Sequence, residues 1–187
     1  MSTDVPPHLT LPNALDDFME RVQSAWHTRY GHPPVLPLQE SPLGPSACTQ
    51  GMSGSHWRPA LQQASRVLLP LEQGFEHALH EDLHHWYGRY WSAGIDVCFE
   101  GEDLHLLQVW NAEDLQCLLE NQLGHGFARR RNRLPPAFFI GLGPQDTVMC
   151  IDNASGAITL EHPGQAPHRE LAPSAAHLLQ GCTPIVE

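Results

Sequence analysis

The chain has 187 residues, 41% of them hydrophobic, which suffices for one domain with a sizeable core and argues against global disorder. Its 21 acidic residues outnumber 10 basic ones, all arginine, and the formal charge of −11 disfavours nucleic acid and anionic lipid as partners while favouring a basic partner. Five scattered cysteines predict reduced, mostly buried thiols in the cytosol, and no apolar run approaches the ~20 residues that cross a bilayer.

The first predicted helix covers residues 13–31 and follows a flexible N-terminus over residues 1–12. Its apolar positions recur with helical spacing, Asn13 can cap its start, and Gly31 can end it. Residues 31–56 are rich in Pro and Gly and are predicted to be irregular, with part of the segment packed as an extended strand.

Residues 70–88 predict a second helix, with Pro70 in its first turn. Two strands joined by an acidic turn at residues 100–103 are expected next. Asn111 then caps a third helix. The inner face of this helix is predicted to consist of Leu115, Leu118, Leu119, Gln122 and Leu123.

Three further strands and a short helix after Pro173 complete the predicted order. The strands are read from AFFIGL, TVMCID and AITLEH, so the core sheet is expected to run from about Ile95 to His162 and to bury Trp110 and Phe139. The predicted fold class is α+β, a single domain over residues 1–187 with a mainly antiparallel central sheet flanked by helices.

The segment HEDLHH contains the H-E-x-x-H pattern of zinc hydrolases at His80, Glu81 and His84. On one helix the two histidines would bind zinc and the glutamate would act as general base, so a zinc metallohydrolase is one alternative. A charged Asp82 stands between the histidines, and no motif marks a third ligand downstream. We therefore expect a solvated helix face, with no metal site, no cofactor and no catalytic residue.

Two other patterns have structural explanations. Cys117 and His125 are two helical turns apart, which separates them too far to act as a nucleophile pair. The arginines of residues 129–133 are expected to complement the C-terminal end of the third helix rather than to bind nucleic acid.

The stretch LLQVWNAEDLQCLLENQLGHGFARRRNRLPPAFFIGLG, residues 106–143, resembles the central signature of the Syd family of bacterial SecY-interacting proteins. AWH, LEQGFEHAL, WYG, NASGAITLE and LAPSAAHLL match the same family in the same order. The resemblance implies a fold of the SUKH superfamily. It also implies a cytosolic protein, without enzymatic activity, that sits peripherally on the cytoplasmic side of the inner membrane by binding SecY and monitors assembly of the translocon.

An acid-rich span supports such a partner, because residues 67–128 hold eleven acids and one arginine. Cytoplasmic loops of membrane proteins carry an excess of Lys and Arg, which an acidic surface recognises. The family usually has an acid where Ile95 stands here, with Asp96 one residue later. The predicted partner-binding acids are Glu72, Asp96, Glu100, Glu102, Asp103, Glu113, Asp114 and Glu120.

The remaining signature residues are predicted to be structural. Asn121, Gly124 and His125 are expected to hydrogen-bond and pack near the end of the third helix, and Trp110 to fill the core. The full set of expected structural signature residues is Gln108, Trp110, Asn121, Gly124, His125, Asn153 and Gly156. A monomer is expected, and a SUKH-type immunity protein that binds a basic toxin is the alternative with the same acidic surface.

Overall fold

Helices and an antiparallel meander alternate in the computed structural model, which describes residues 10–36, 44–64 and 66–186. The described helices are α1 (Leu11–Tyr30), α2 (Leu69–Phe75), α3 (Glu81–Gly88), α4 (Ala112–Arg131) and α5 (Ala175–Gly181). The described strands are β1 (Ala60–Leu61), β2 (Tyr90–Trp91), β3 (Ile95–Phe99), β4 (Glu102–Leu106), β5 (Ala137–Leu142), β6 (Val148–Asp152), β7 (Ile158–Glu161), β8 (Arg169–Ala172) and β9 (Thr183–Pro184).

Seven of these strands form one antiparallel sheet in the order β8-β7-β6-β5-β4-β3-β9, while β1 and β2 form a separate pair. The sheet is strongly curled. The curl brings Arg169 on the edge strand β8 into an ion pair with Glu102 on β4, four strands away in the sheet order. The predicted α+β class with an antiparallel sheet is confirmed, and the sheet extends beyond the predicted limit at His162 to include β8 and β9.

Helix α1 starts earlier than predicted. Thr10 is its N-cap residue and Pro12 lies in its first turn, so Leu11 and Pro12 are helical rather than flexible and Asn13 is not the cap. The side chain of Leu11 is buried, which explains why the helix extends to it. The end at Gly31 is as predicted, since this residue adopts the left-handed conformation with φ of 75°. Residues 1–9 lie outside the described part of the chain.

The single helix predicted over residues 70–88 is wrong, because two short helices occur with residues 76–80 between them. Glu76 ends α2 with a positive φ of 54°, and His80 is the N-cap residue of α3. Asn153 of the β6–β7 turn accepts a hydrogen bond from the His80 backbone N–H at 2.8 Å and donates one to the Ala78 carbonyl at 2.9 Å. These tertiary bonds satisfy backbone groups that a continuous helix would have paired internally.

The acidic turn is shorter than predicted. Glu100 and Gly101 alone connect β3 to β4, with φ of 51° and 85°, which is the two-residue turn geometry that suits the twist of a hairpin. Glu102 and Asp103 therefore belong to β4, where they pair with Phe99 and Cys98 respectively.

The two faces of the sheet follow from its cross-strand register. Phe138, Ile151 and Ile158 form one row, and all three are fully buried in the core. The neighbouring row is Phe139, Cys150 and Thr159, which must face the opposite side because successive strand residues alternate. Helix α4 lies over this second face, since the ring of its His125 contacts the Phe139 ring at a centroid distance of 5.5 Å.

The start of α4 was predicted correctly. The Asn111 side chain accepts a hydrogen bond from the Asp114 N–H at 2.9 Å, and the Asp114 carboxylate accepts one from the Trp110 N–H at 2.8 Å. Of the predicted inner face, Leu118, Leu119 and Gln122 are buried, while Leu115 and Leu123 are partly buried.

Trp110 fills the core as predicted and also fixes part of the irregular segment. Its indole N–H donates to the Gly44 carbonyl at 3.0 Å, and the Ser46 hydroxyl donates to the Trp110 carbonyl at 2.6 Å. The Trp57 ring meets it edge-on at 6.4 Å. In the described parts of residues 31–56, regular structure is limited to a short 3-10 helix at Ala47–Thr49 and an isolated bridge between Val35 and His56.

We predict that Phe138→Ala lowers the free energy of unfolding by about 3–5 kcal/mol, because its ring is fully buried against Phe75. Phe139 was expected to be buried but is only partly so, and Phe139→Ala should cost clearly less. Urea titration of both variants measures the difference, with the exposed Leu142→Ala on the same strand as a control expected within about 0.5 kcal/mol of wild type. An equal cost at positions 138 and 139 would contradict the assignment of the two faces.

Candidate functional site

The H-E-x-x-H motif does not form a zinc site. His80 precedes the first residue of α3 and caps it, its Nδ1 accepting from the Asp82 N–H at 3.2 Å, so the two histidines do not share a helix face. His84 is completely buried, and its Nε2 lies 3.1 Å from a Glu72 oxygen. The expected solvated face is therefore wrong for His84, and the motif serves to join α2 and α3.

The signature residues Asn153 and Gly156 explain why His80 occupies its position. Besides the two hydrogen bonds of Asn153, Gly156 has a φ of 77°, and a Cβ added there would come within 2.6 Å of the His80 ring. The glycine is needed both for its left-handed conformation and for this contact. The structural role predicted for this pair thus consists of holding the α2–α3 linker against the β6–β7 turn.

Glu72 is engaged within the protein. One of its oxygens accepts from the Leu79 N–H at 3.0 Å and also faces Arg66 and His84. The Leu79 hydrogen bond and the neighbouring His84 and Arg66 lower the pKa of the carboxyl against the opposing effect of burial. Its charge is therefore largely compensated, which leaves Glu72 poorly placed to meet a partner.

Of the four predicted acids of the β3–β4 hairpin, one is held by an arginine and three are exposed. Glu102 is bound by Arg169, which lowers the pKa of that carboxyl. Asp96 and Asp103 lie on the face of the sheet that carries α4, Asp96 beside its cross-strand partner His105 at 2.7 Å. Glu100 is exposed at the tip. The accessible carboxylates of this hairpin are consequently those of residues 96, 100 and 103.

Helix α4 presents a continuous exposed side, which we term the α4 outer stripe. Its members recur at helical spacing of three and four residues, and all are exposed. The α4 outer stripe consists of Glu113, Gln116, Cys117, Glu120, Asn121 and Gly124. Two of its residues are acidic and none is basic. Asp114 lies beside it, but its carboxylate is used to cap the helix.

Asn121 and Gly124 were expected to hydrogen-bond and pack near the end of the helix, but both are exposed on its surface. Helix α4 continues to Arg131, so neither residue is at its end, and a Cβ on Gly124 would meet no atom within 4 Å. The close packing predicted for Gly124 occurs instead at Gly126, where an added Cβ would lie 2.3 Å from the Phe75 ring. Asn121 and Gly124 are thus exposed signature residues on the same stripe as Glu113 and Glu120.

Behind α4 lies a group of polar side chains that sequence reasoning did not find, here called the α4–sheet cluster: His125, Arg129, Cys150 and Glu161. Arg129 was expected to complement the helix end, but it is buried and forms an ion pair with the fully buried Glu161. His125 Nε2 lies 3.8 Å from Cys150 Sγ and 3.7 Å from Glu161 Oε1. His125 therefore meets Cys150 rather than the Cys117 that shares its helix.

Burial dominates the electrostatics of this cluster. It lowers the pKa of His125 to about 4, with the charge of Arg129 acting in the same direction. It also raises the pKa of the Cys150 thiol well above its usual range, assisted by the nearby Glu161 carboxylate. At neutral pH the imidazole of His125 and the thiol of Cys150 are accordingly uncharged.

Two of the other signature residues have clear positions. Trp110 is in the core, and Gln108 is partly buried with an Oε1 that has no hydrogen-bond partner among the described residues.

All five cysteines are free thiols, and Cys48, Cys150 and Cys182 are buried, as the sequence predicted for most of them. None of the helices in the described ranges combines the length and apolar character of a membrane span.

Taken together, these features define a small α+β domain whose signature residues serve either packing or an exposed polar helix side. Comparison with known proteins gives the family. Residues 12–184 match the model of the Syd protein family, SUKH-2. "Protein Syd" of Aliivibrio salmonicida is 35% identical over 182 residues, covering 95% of this chain and 98% of the relative.

Two further relatives agree. "Protein Syd" of Hahella chejuensis is 34% identical over 180 residues, covering 93% of this chain and 92% of its own length. That of Shewanella baltica is 32% identical over 178 residues, covering 91% and 81%. The chain belongs to the Syd family, as the resemblance of residues 106–143 predicted.

The two glycines of α4 give a matched prediction. Gly124→Ala should raise the free energy of unfolding by about 0.5–1 kcal/mol, because the site is open and alanine favours a helix. Gly126→Ala should lower it by about 1–3 kcal/mol, because the methyl group meets the Phe75 ring. Urea titration distinguishes the two, and a loss of stability in Gly124→Ala would show that residue 124 packs against something after all.

Proposed function

We propose that this Syd-family protein binds the basic cytoplasmic loops of SecY, the channel subunit of the Sec translocon, and so monitors translocon assembly from the cytoplasmic side of the inner membrane. The protein acts by binding, with no catalytic step, and it reaches the membrane only through SecY. The observation that carries the proposal is the α4 outer stripe, where acidic and signature residues are exposed together without a structural task.

The stripe has the properties that such a partner requires. Loops on the cytoplasmic side carry an excess of Lys and Arg, and an acidic surface attracts them while being repelled by anionic lipid around them. Glu113 and Glu120 form no ion pair with the described residues, and Glu120 accepts only a hydrogen bond from Gln116 at 3.0 Å, so both charges remain available. Gln116, Asn121 and Gly124 add donors, acceptors and a flat site where a loop backbone can approach.

The hairpin acids extend this surface. Asp96 and Asp103 lie on the face of the sheet that α4 also covers, and Glu100 is exposed at the hairpin tip. Glu72 and Glu102 contribute little, because each is already paired with an arginine. The proposed binding surface therefore comprises the α4 outer stripe and the carboxylates of residues 96, 100 and 103.

Charge reversal on the stripe tests the proposal. Glu113→Lys/Glu120→Lys should weaken binding to SecYEG in nanodiscs by at least about tenfold, because it replaces attraction to basic loops by repulsion. Asp114 is left unchanged, since its carboxylate caps α4. The matched control is Glu20→Lys/Glu170→Lys, two exposed acids on α1 and β8. Each exchange adds two charges, so both variants move the formal charge from −11 to −7.

Two further measurements complete the experiment: the salt dependence of binding and a substitution at the uncharged residue Gly124. Binding should weaken as salt rises from 0.1 to 1 M, because the Debye length shortens from ~10 Å to ~3 Å. Gly124→Arg should also impair binding without loss of stability, since its site is open within the protein. Equal effects of the two double variants would refute the acidic surface. If wild type ignores SecYEG altogether, a basic soluble partner such as a toxin becomes the better proposal.

A further inference from the structure

The α4–sheet cluster brings together three side chains of the kinds that bind transition metals. His125 comes from α4, Cys150 from β6 and Glu161 from β7, and their ligand atoms all lie within 4.8 Å of one another. In the described part of the chain this is the one such group of three or more potential ligands. It is separate from the H-E-x-x-H motif, in which His80 caps α3 and His84 contacts Glu72 of α2.

The separations are close to those around a bound zinc ion. Zinc–ligand distances of about 2.0–2.2 Å for nitrogen and oxygen and about 2.3 Å for sulfur place tetrahedral ligands roughly 3.4–3.6 Å apart. His125 Nε2 is 3.8 Å from Cys150 Sγ and 3.7 Å from Glu161 Oε1. These two distances exceed the tetrahedral spacing by only a few tenths of an ångström, and all three ligand atoms lie within 4.8 Å of one another.

An independent observation concerns the Glu161 carboxylate. Its side chain is fully buried, and Oε1 has no hydrogen-bond partner among the described residues. Leaving a buried carboxylate oxygen unpaired is costly, so a missing partner is expected on that side. Oε1 is the oxygen nearer to His125 Nε2, so the unpaired atom is directed into the cluster.

Arg129 orients the same carboxylate. Its guanidinium holds Glu161 Oε2, while its Nε donates to the Pro135 carbonyl at 2.8 Å. An outer group that fixes one oxygen and leaves the other free is a common arrangement behind a metal-bound carboxylate. The hydroxyl of Thr159, which lies opposite Cys150 in the ladder, is a second buried polar group without a hydrogen-bond partner among the described residues.

We propose that His125, Cys150 and Glu161 bind one divalent transition-metal ion of the zinc class. The mixed nitrogen, sulfur and oxygen set suits zinc, and Cys150 binds as the thiolate after releasing its proton to solvent. The ion joins α4 to β6 and β7 and stabilises the fold. This role does not depend on the proposed partner, because the α4 outer stripe is on the other side of the helix.

The test uses the whole protein, stripped with a chelator and then dialysed against zinc or cobalt. Elemental analysis should give one zinc per chain, and the cobalt form should show a thiolate-to-cobalt charge-transfer band. Cys150→Ser should lower zinc affinity at least about tenfold and remove the band. Cys182→Ser, which removes another buried free thiol outside the cluster, should change neither.

Circular dichroism and urea titration establish that each variant is folded. Absence of stoichiometric zinc from the wild-type protein, or a cobalt form of wild type without a sulfur band, overturns the site without recourse to any variant. Zinc that remains at one per chain with unchanged affinity in Cys150→Ser also overturns it, since the ion would then be held by exposed histidines such as His77.

Discussion

The attachment of α4 to the sheet determines most of what this protein can present to a partner. Gln122, a buried amide at the centre of the helix, donates to the Phe139 carbonyl at 2.6 Å and accepts from the Phe139 N–H at 3.2 Å. It thereby satisfies both backbone groups of one residue of β5, beside the irregularity in the β5–β6 ladder. A paired amide of this kind fixes the rotation of a helix more tightly than apolar contact does, because an alternative orientation would leave it unsatisfied.

Rotation of α4 decides the roles of its other residues. With Gln122 inward, His125 and Arg129 follow at helical spacing and reach the sheet. Residues one position away, such as Asn121 and Gly124, must then face outward. The division of the ENQLGH motif between an exposed half and a buried half is thus a consequence of one buried amide and the helical period. The motif therefore carries two functions, packing and surface display.

Features governed by neighbouring residues could be predicted from the sequence. The Asn111 cap, the end of α1 at Gly31 and the burial of Trp110 each depend on local chemistry or on a pattern of apolar residues. The break in the helix predicted over residues 70–88 could not be foreseen, because it depends on Asn153, more than seventy residues away. Apolar spacing continues through the break and gives no sign of it.

The candidate sites show the same division. The sequence shows which residues are acidic, but whether a carboxylate is free to meet a partner depends on residues far away in the chain. Arg169, for example, reaches Glu102 only because the sheet curls. His125 was matched with Cys117 along the helix, whereas the cysteine beside it belongs to β6. The burial of Arg129 between α4 and the sheet could not be predicted from the sequence for a different reason. It stands within a run of arginines, and only the geometry of the helix end selects it for the interior.

A buried ion pair alone is weak evidence of stability, since desolvation of both groups opposes their attraction. Arg129 and Glu161 are nonetheless held inside the fold, where they connect the last turns of α4 to β7. At the other end of α4, the Asn111 side chain accepts from the Asp114 N–H and the Asp114 carboxylate accepts from the Trp110 N–H. Trp110 is in turn bonded to Gly44 and Ser46. With both ends and the centre anchored, the ~30 Å helix is a rigid support for its exposed side. A partner that meets this side does not need to order it first, so less of the interaction energy is lost on binding.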